Sequence, residues 1–229
     1  MTCVWQGAKI SLAAVFHGGN APNNRVAVPQ PSISFGYGED TWDWFFTEAQ
    51  KKAGKRMKPP MGEVSVKGDM SDRLMFPFFV TELTVQGPAR KQRGGLWAAT
   101  NRCMGGAATC VKTINSLNRL LREYPGAPKV NNVAISIATD QCYGELYASW
   151  SSEDEQQYYM RKIGMYALGR EDDFAEFCSL VQSILDWGKG QRLQDVQSAL
   201  EFRIQEELKA DAAIKRTKEE IDGSVDHPE

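Results

Sequence analysis

The sequence predicts an α/β protein: a central sheet that mixes parallel and antiparallel strands, flanked by helices, with a helical extension at the C-terminus. Three observations carry this. Short runs with strand-like alternation or continuous apolar content stand at 31–37, 74–83 and 131–150. Longer stretches at 39–54, 94–124 and 171–187 repeat apolar residues at gaps of three and four. The order is strand, helix, strand, long helix, hairpin and strand, then helices.

Each element has its own warrant. "PSISFGY" (31–37) alternates Ile33, Phe35 and Tyr37 with small residues and closes at Gly38. "EDTWDWFFTEAQKKAG" (39–54) has Asp40 or Thr41 to cap a helix, apolar residues at helical spacing, and Gly54 to end it. Residues 55–74 are basic, contain Pro59–Pro60 and read as a loop. "LMFPFFVTEL" (74–83) is apolar throughout, as suits a strand covered on both faces, although Pro77 cannot donate to a ladder. Residues 94–124 place Leu96, Ala99, Cys103, Ala107, Cys110 and Val111 on one stripe, with close packing or a kink expected at Gly105–Gly106.

"NNVAISIATDQCYGELYASWSS" (131–152) reads as a hairpin turning near Asp140–Gln141, with a third strand at 157–168. One ring of the Tyr158–Tyr159 pair is expected inside and the other outside. Residues 171–187 form an amphipathic helix with Phe174, Phe177, Cys178, Val181, Ile184 and Leu185 inward, broken by Gly188 and Gly190. Beyond it, Leu193, Val196, Leu200, Ile204 and Leu208 make a narrow stripe in a charged helix, suited to docking on the body or to pairing with a second copy. The expected organisation is a core over 1–190, a charged amphipathic helix over 191–222, and a disordered tail over 223–229.

Composition bounds the function. At 229 residues, 42% hydrophobic and 24% charged, the chain is that of an ordinary globular domain with no apolar run long enough for a membrane span. Five cysteines (3, 103, 110, 142 and 178) without C-x-x-C spacing predict reduced, mostly buried thiols in an intracellular protein. With only His17 and His227, zinc sites and histidine-based nucleophile pairs lack residues. The Trp residues at 42, 44, 97, 150 and 187 read as packing groups.

The net charge of −2 is unevenly spread: residues 51–94 carry ten Lys and Arg against four Asp and Glu. Lys51, Lys52, Lys55, Arg56, Lys58, Arg90, Lys91 and Arg93 are thus a candidate footprint for nucleic acid. "KKAGKRMK" (51–58) has the density of a nuclear-import signal, so the expected location is nuclear or cytoplasmic.

The chemistry gathers at "FPFFVTELT" (76–84), an apolar run that ends by presenting Glu82. A strand, an apolar strand ending in an acid, a long helix and another strand together resemble the PD-(D/E)xK restriction-endonuclease-like superfamily. "PQPSISFGYG" (29–38), "FPFFVTELT", "LWAATNRCMGGAATCVKTINSL" (96–117), "NNVAISIATDQCYGELYASW" (131–150) and "FCSLVQSILDWGKGQRLQDVQSAL" (177–200) are similar to a fungal group within it. Such a nuclease holds Mg²⁺ with two carboxylates at adjacent strand ends. A lysine two residues after the second lies on the same side of the strand and stabilises transition-state charge.

Here Ser32 stands where the resemblance implies the first aspartate. Glu82 keeps the second acid and is the one expected metal ligand, a weak one; Thr84 holds the lysine position. Glu39 and Asp40, or Arg90, Lys91, Arg93 and Arg102, are candidates for relocated chemistry. The leading expectation is a catalytically inactive nuclease-like protein, without a cofactor, that binds a protein partner or nucleic acid. The alternatives are an active Mg²⁺-dependent nuclease with relocated residues and an oligomeric scaffold assembled through 193–208.

Overall fold

A computed structural model of the chain describes residues 12–16, 32–38, 74–84 and 95–223. The strands are β1 (Leu12–Phe16), β2 (Ile33–Gly38), β3 (Leu74–Leu83), β4 (Ala134–Thr139), β5 (Tyr143–Ser151) and β6 (Tyr158–Ala167). The helices are α1 (Gly95–Leu121), α2 (Glu171–Lys189) and α3 (Gln191–Gly223). The strands lie in one sheet in chain order. β3 and β4 run parallel, with α1 as their crossover, and the other four neighbouring pairs are antiparallel. The mixed sheet and the long C-terminal helix are as the sequence predicts.

β3 is buried over Leu74–Val80, as its unbroken apolar content requires. Pro77 is accommodated by a bulge. Phe35 pairs with Phe79 but Tyr37 pairs with Met75, so Phe76–Phe78 bow out opposite Gly36. The pairing of β3 with β4 begins only at Phe79, so the proline's missing N–H interrupts no ladder there. Phe76 takes a positive φ of 45° to make the bulge, a strained conformation for a bulky residue. Gly36 permits it, because a Cβ there would sit 2.8 Å from the Met75 carbonyl oxygen.

α1 packs across β3, β4 and β5. Its buried stripe of Ala99, Cys103, Ala107, Cys110 and Val111 is made of small residues, which lets the helix axis come close to the sheet. On the opposite face Phe177 of α2 fills the space above Gly144, where a Cβ would meet its ring at 2.8 Å. Leu180, Val181, Ile184 and Leu185 join the same core.

Several expectations are corrected. Phe174 and Cys178 of α2 are exposed, because the helix packs the narrower, partly buried stripe that starts at Phe177. Gly188 does not break the helix: a Cβ there would lie 2.0 Å from the Phe78 ring, and Tyr37 Oη donates to its carbonyl at 2.8 Å. α2 ends at Lys189 with Gly190 as its C-cap, and α3 starts at once at Gln191. Tyr158 and Tyr159 are both exposed, since β6 is the sheet edge among the described residues. Trp97 is 74% exposed.

The 193–208 stripe is not a free seam. Leu193, Val196 and Ala199 lie in the main core, while Leu208 is exposed, so α3 begins as part of the body and the division at residue 190 runs through packed structure. The helix expected at 39–54, residues 55–73 of the loop expected at 55–74 and residues 224–229 of the tail expected at 223–229 lie outside the described residues.

Candidate functional site

Strand register builds the site. Ile33 pairs with Thr81, so Ser32 falls opposite Glu82; Glu82 pairs with Ala138, and Ala138 with Glu145. Residues paired across strands share a face, so Ser32, Glu82, Ala138 and Glu145 form one row on the side covered by α1. Ala138 lies in a small cluster with Ala99 and Cys103 from α1 and Tyr147 from β5. The helix thus sits over the middle of the row, with a carboxylate on either flank.

Glu82 is 1% exposed, not the open strand-end acid that its position suggests. Ser32 Oγ donates to Glu82 Oε2 at 3.0 Å and accepts the Leu83 N–H at 3.2 Å. Arg102 Nε donates to the same Oε2 at 2.8 Å, forming an ion pair whose arginine side is about half exposed. Glu82 Oε1 is buried without a hydrogen-bond partner among the described residues. Thr84 does not join the group. Its hydroxyl donates to the Thr139 carbonyl at 3.1 Å, and its N–H reaches the same oxygen at 2.9 Å.

Of the residues singled out in the sequence, Ser32, Glu82 and Arg102 therefore come together. Lys51, Lys52, Lys55, Arg56, Lys58, Arg90, Lys91 and Arg93, with Glu39 and Asp40, lie outside the described residues. Beside Glu82, Cys103 Sγ donates to the Ile137 carbonyl at 3.2 Å. Burial, reinforced by the Glu82 charge, pushes its thiol up to about 12.

The second carboxylate centre is not apparent from motifs. Glu145 accepts from Tyr147 Oη, from Lys162 Nζ of β6 and from Thr100 Oγ1 of α1 at 3.3 Å. The Thr100 and Tyr147 hydroxyls are themselves 3.2 Å apart. Burial pushes the Glu145 carboxyl up, but the Lys162 ammonium and the Tyr147 hydroxyl outweigh it and hold the group below its ordinary value. The one sequence signal was an acid alternating with Tyr147 in a strand; its partners are visible only through register.

Oxygen ligation of a hard cation needs several donors converging at 2.0–2.6 Å. Among the described residues no three His, Cys, Asp or Glu side chains gather in that way. Ser32 contributes a hydroxyl already bonded to Glu82, and Arg102 places positive charge against the carboxylate. Those residues do not fit an Mg²⁺ site of the two-carboxylate kind. No helix is long and apolar enough to cross a membrane among the described residues.

No curated protein and no solved structure matches the chain. Residues 8–200 match the model of a family described as a domain of unknown function (DUF7924), and the chain belongs to that family.

Proposed function

We propose that the protein is a catalytically silent member of the restriction-endonuclease-like superfamily that works by binding, either to a protein partner or to nucleic acid. The carrying observation is the 2.8 Å contact from Arg102 Nε to Glu82 Oε2 at a carboxylate that is 1% exposed. The retained acid meets a protein cation where a nuclease would hold its metal. Ser32 at the lost aspartate position bonds the same oxygen and cannot supply a second negative charge. The order β2, β3, α1, β4, with Glu82 near the end of β3, supports the superfamily reading. The basic 51–94 segment supports a polyanion as partner, whereas the net charge of −2 favours a protein.

The test is a pair of measurements on the full chain. Titration with Mn²⁺ should give no binding that depends on Glu82, and plasmid DNA should stay intact with Mg²⁺ or Mn²⁺. Cleavage that Glu82→Gln abolishes would overturn the proposal and favour the active enzyme, whose ligands would have to include residues such as Glu39 or Asp40. Glu82 Oε1, without a hydrogen-bond partner among the described residues, is the observation on that side. Affinity for duplex DNA that falls steeply with salt identifies nucleic acid as the partner; its absence points to a protein.

A further inference from the structure

At the other end of α1 lies a groove, where the helix C-terminus meets the segment leading into β4 and the turn between β5 and β6. It has two adjoining lobes of about 330 Å³ each, which share Asn118, Arg122, Lys129 and Glu153. Each lobe is at the lower end of the size range of small-molecule sites, about 300–1,000 Å³. The lobes differ in chemistry. One adds Leu121, Tyr124, Ala127 and Pro128, an apolar wall with an aromatic ring. The other adds Asn115, Asn131, Asn132 and Ser151, a lining of amides and a hydroxyl.

The amide lobe is braced. Asn115 is 3% exposed, and its Nδ2 donates to Ser151 Oγ at 2.7 Å. Asn132 Nδ2 donates to Asn115 Oδ1 and to Ser151 Oγ, both at 2.9 Å. Asn118 clamps Val130 through its N–H and carbonyl at 2.9 and 2.8 Å. These side chains hold their positions before any ligand arrives, which lowers the cost of binding.

The rim charges are paired, and an anion could take the place of the carboxylates. The two rim cations are met by carboxylates from the β5–β6 turn: Lys129 Nζ lies 2.7 Å from Glu153, and Arg122 Nη2 lies 3.2 Å from Glu155. Arg122 also donates to the Glu153 carbonyl at 3.2 Å. Exposed pairs of this kind are weak and exchangeable. Behind the wall and outside the lining, Arg192, 1% exposed and over the Trp187 ring, donates through Nη1 to the Asn131 carbonyl. Its Nε and Nη2 have no partner among the described residues. With the turn carboxylates displaced, the two lining cations, Arg122 and Lys129, face the partial negative charge, about half a unit, of the α1 C-terminus.

We propose that this groove binds a nucleoside monophosphate, with the ring in the apolar lobe, the phosphate on Arg122 and Lys129 in place of Glu153 and Glu155, and the sugar hydroxyls against the asparagines. The site uses none of the residues around Glu82, so it stands or falls separately from the nuclease-like reading.

Isothermal titration of the full chain with 5′-AMP, adenosine and inorganic phosphate, alongside NMR of the asparagine side-chain amides, tests it. AMP should bind more tightly than either fragment, weaken as salt rises, and shift the Asn115, Asn118 and Asn132 amide signals. Lys129→Ala should weaken AMP by about tenfold, the loss of one charged contact. Glu153→Gln should tighten it severalfold, since it frees Lys129. Both positions are exposed, so these variants should keep the parent's thermal unfolding. The proposal is overturned if phosphate or adenosine alone binds as well as AMP, if those amides do not respond, or if Glu153→Gln leaves affinity unchanged.

Discussion

Glu82 and Glu145 stand in one row of the sheet with Ala138 between them, and each is answered by a cation from a different element. Arg102 of α1 meets Glu82, and Lys162 of β6 meets Glu145. Two strand spacings separate the acids, about 10 Å, too far for one ion to bridge at ligand distances of about 2–2.6 Å. The row is therefore two independently neutralised centres. The helix above it is held at both flanks, through Arg102 on one side and Thr100 on the other.

Arg102→Met should destabilise the fold by about 1–3 kcal/mol, because among the described residues it leaves the buried carboxylate with Ser32 alone. Adding Glu82→Gln should recover part of that loss, since a neutral amide costs less to keep buried. Urea unfolding of the two single variants and the double variant gives the coupling energy; additive losses would show that the contact is not formed.

Stability should fall in acid as Glu145 is protonated. Its carboxyl is held below the ordinary value, so the contribution is present above the unfolded value, about 4.3, and is lost as pH drops through the lower folded value. Lys162 is raised by the same contact, so its share is present below its ordinary range and is lost at strongly alkaline pH. In Lys162→Met, burial of Glu145 is less opposed, and the acid loss should begin at higher pH. Denaturation midpoints from pH 3 to 7 would reveal this; superimposable profiles would count against the pairing.

Gly188→Ala should be destabilising although alanine is the better helix former by about 1 kcal/mol. Its methyl would meet the Phe78 ring at 2.0 Å, and relieving such a clash costs about 1–3 kcal/mol or more. Pairing it with Phe78→Leu should restore part of the loss in thermal unfolding, whereas an exposed glycine would show a gain from the single change.

Arg192→Met should leave stability unchanged or raise it by about 1 kcal/mol, as replacing buried charges by apolar side chains often does. The arginine is 1% exposed, two of its nitrogens lack partners among the described residues, and its best contacts are the Asn131 carbonyl and the Trp187 ring. A loss above about 3 kcal/mol in chemical denaturation, the mark of a broken buried pair, would mean that the guanidinium is fully compensated.

Thiol labelling should divide the four described cysteines. Cys142 and Cys178 are exposed, whereas Cys103 and Cys110 are buried and pushed up to about 12 by loss of solvent. Peptide mapping after alkylation at pH 8 should find the first two modified and the others only in denaturant. Modification of Cys103 in the native protein would mean that α1 lifts from the sheet.

Local periodicity made most elements legible. The run at 74–83 gives β3 to the residue, and the alternation at 131–152 gives the hairpin, because side-chain period and burial agree there. Where pairing across the sheet decided matters, sequence alone could not. Pro77 reads as a misfit in a strand because the bulge that absorbs it depends on Gly36 of another strand. Gly188 looked like a breaker because the ring that needs its missing side chain belongs to β3. Glu82 stands out by its place after an apolar run, but its burial follows from α1 above it, and in sequence Arg102 is one of several basic candidates. Glu145 carries no local signal, because Lys162 meets it from another strand.

The strand order has a kinetic consequence. Only β4–β5 and β5–β6 are joined by short turns, whereas β2 pairs with β3 across residues 39–73 and β3 pairs with β4, the one parallel joint among the described strands, across α1. Local pairings close short loops and form early, while distant ones wait for a larger entropic cost. The β4–β6 meander is thus expected to assemble first and to receive β2–β3 when α1 settles between them. In pulsed hydrogen exchange its amides should gain protection ahead of those of β3; simultaneous protection of both would speak for a single concerted nucleus.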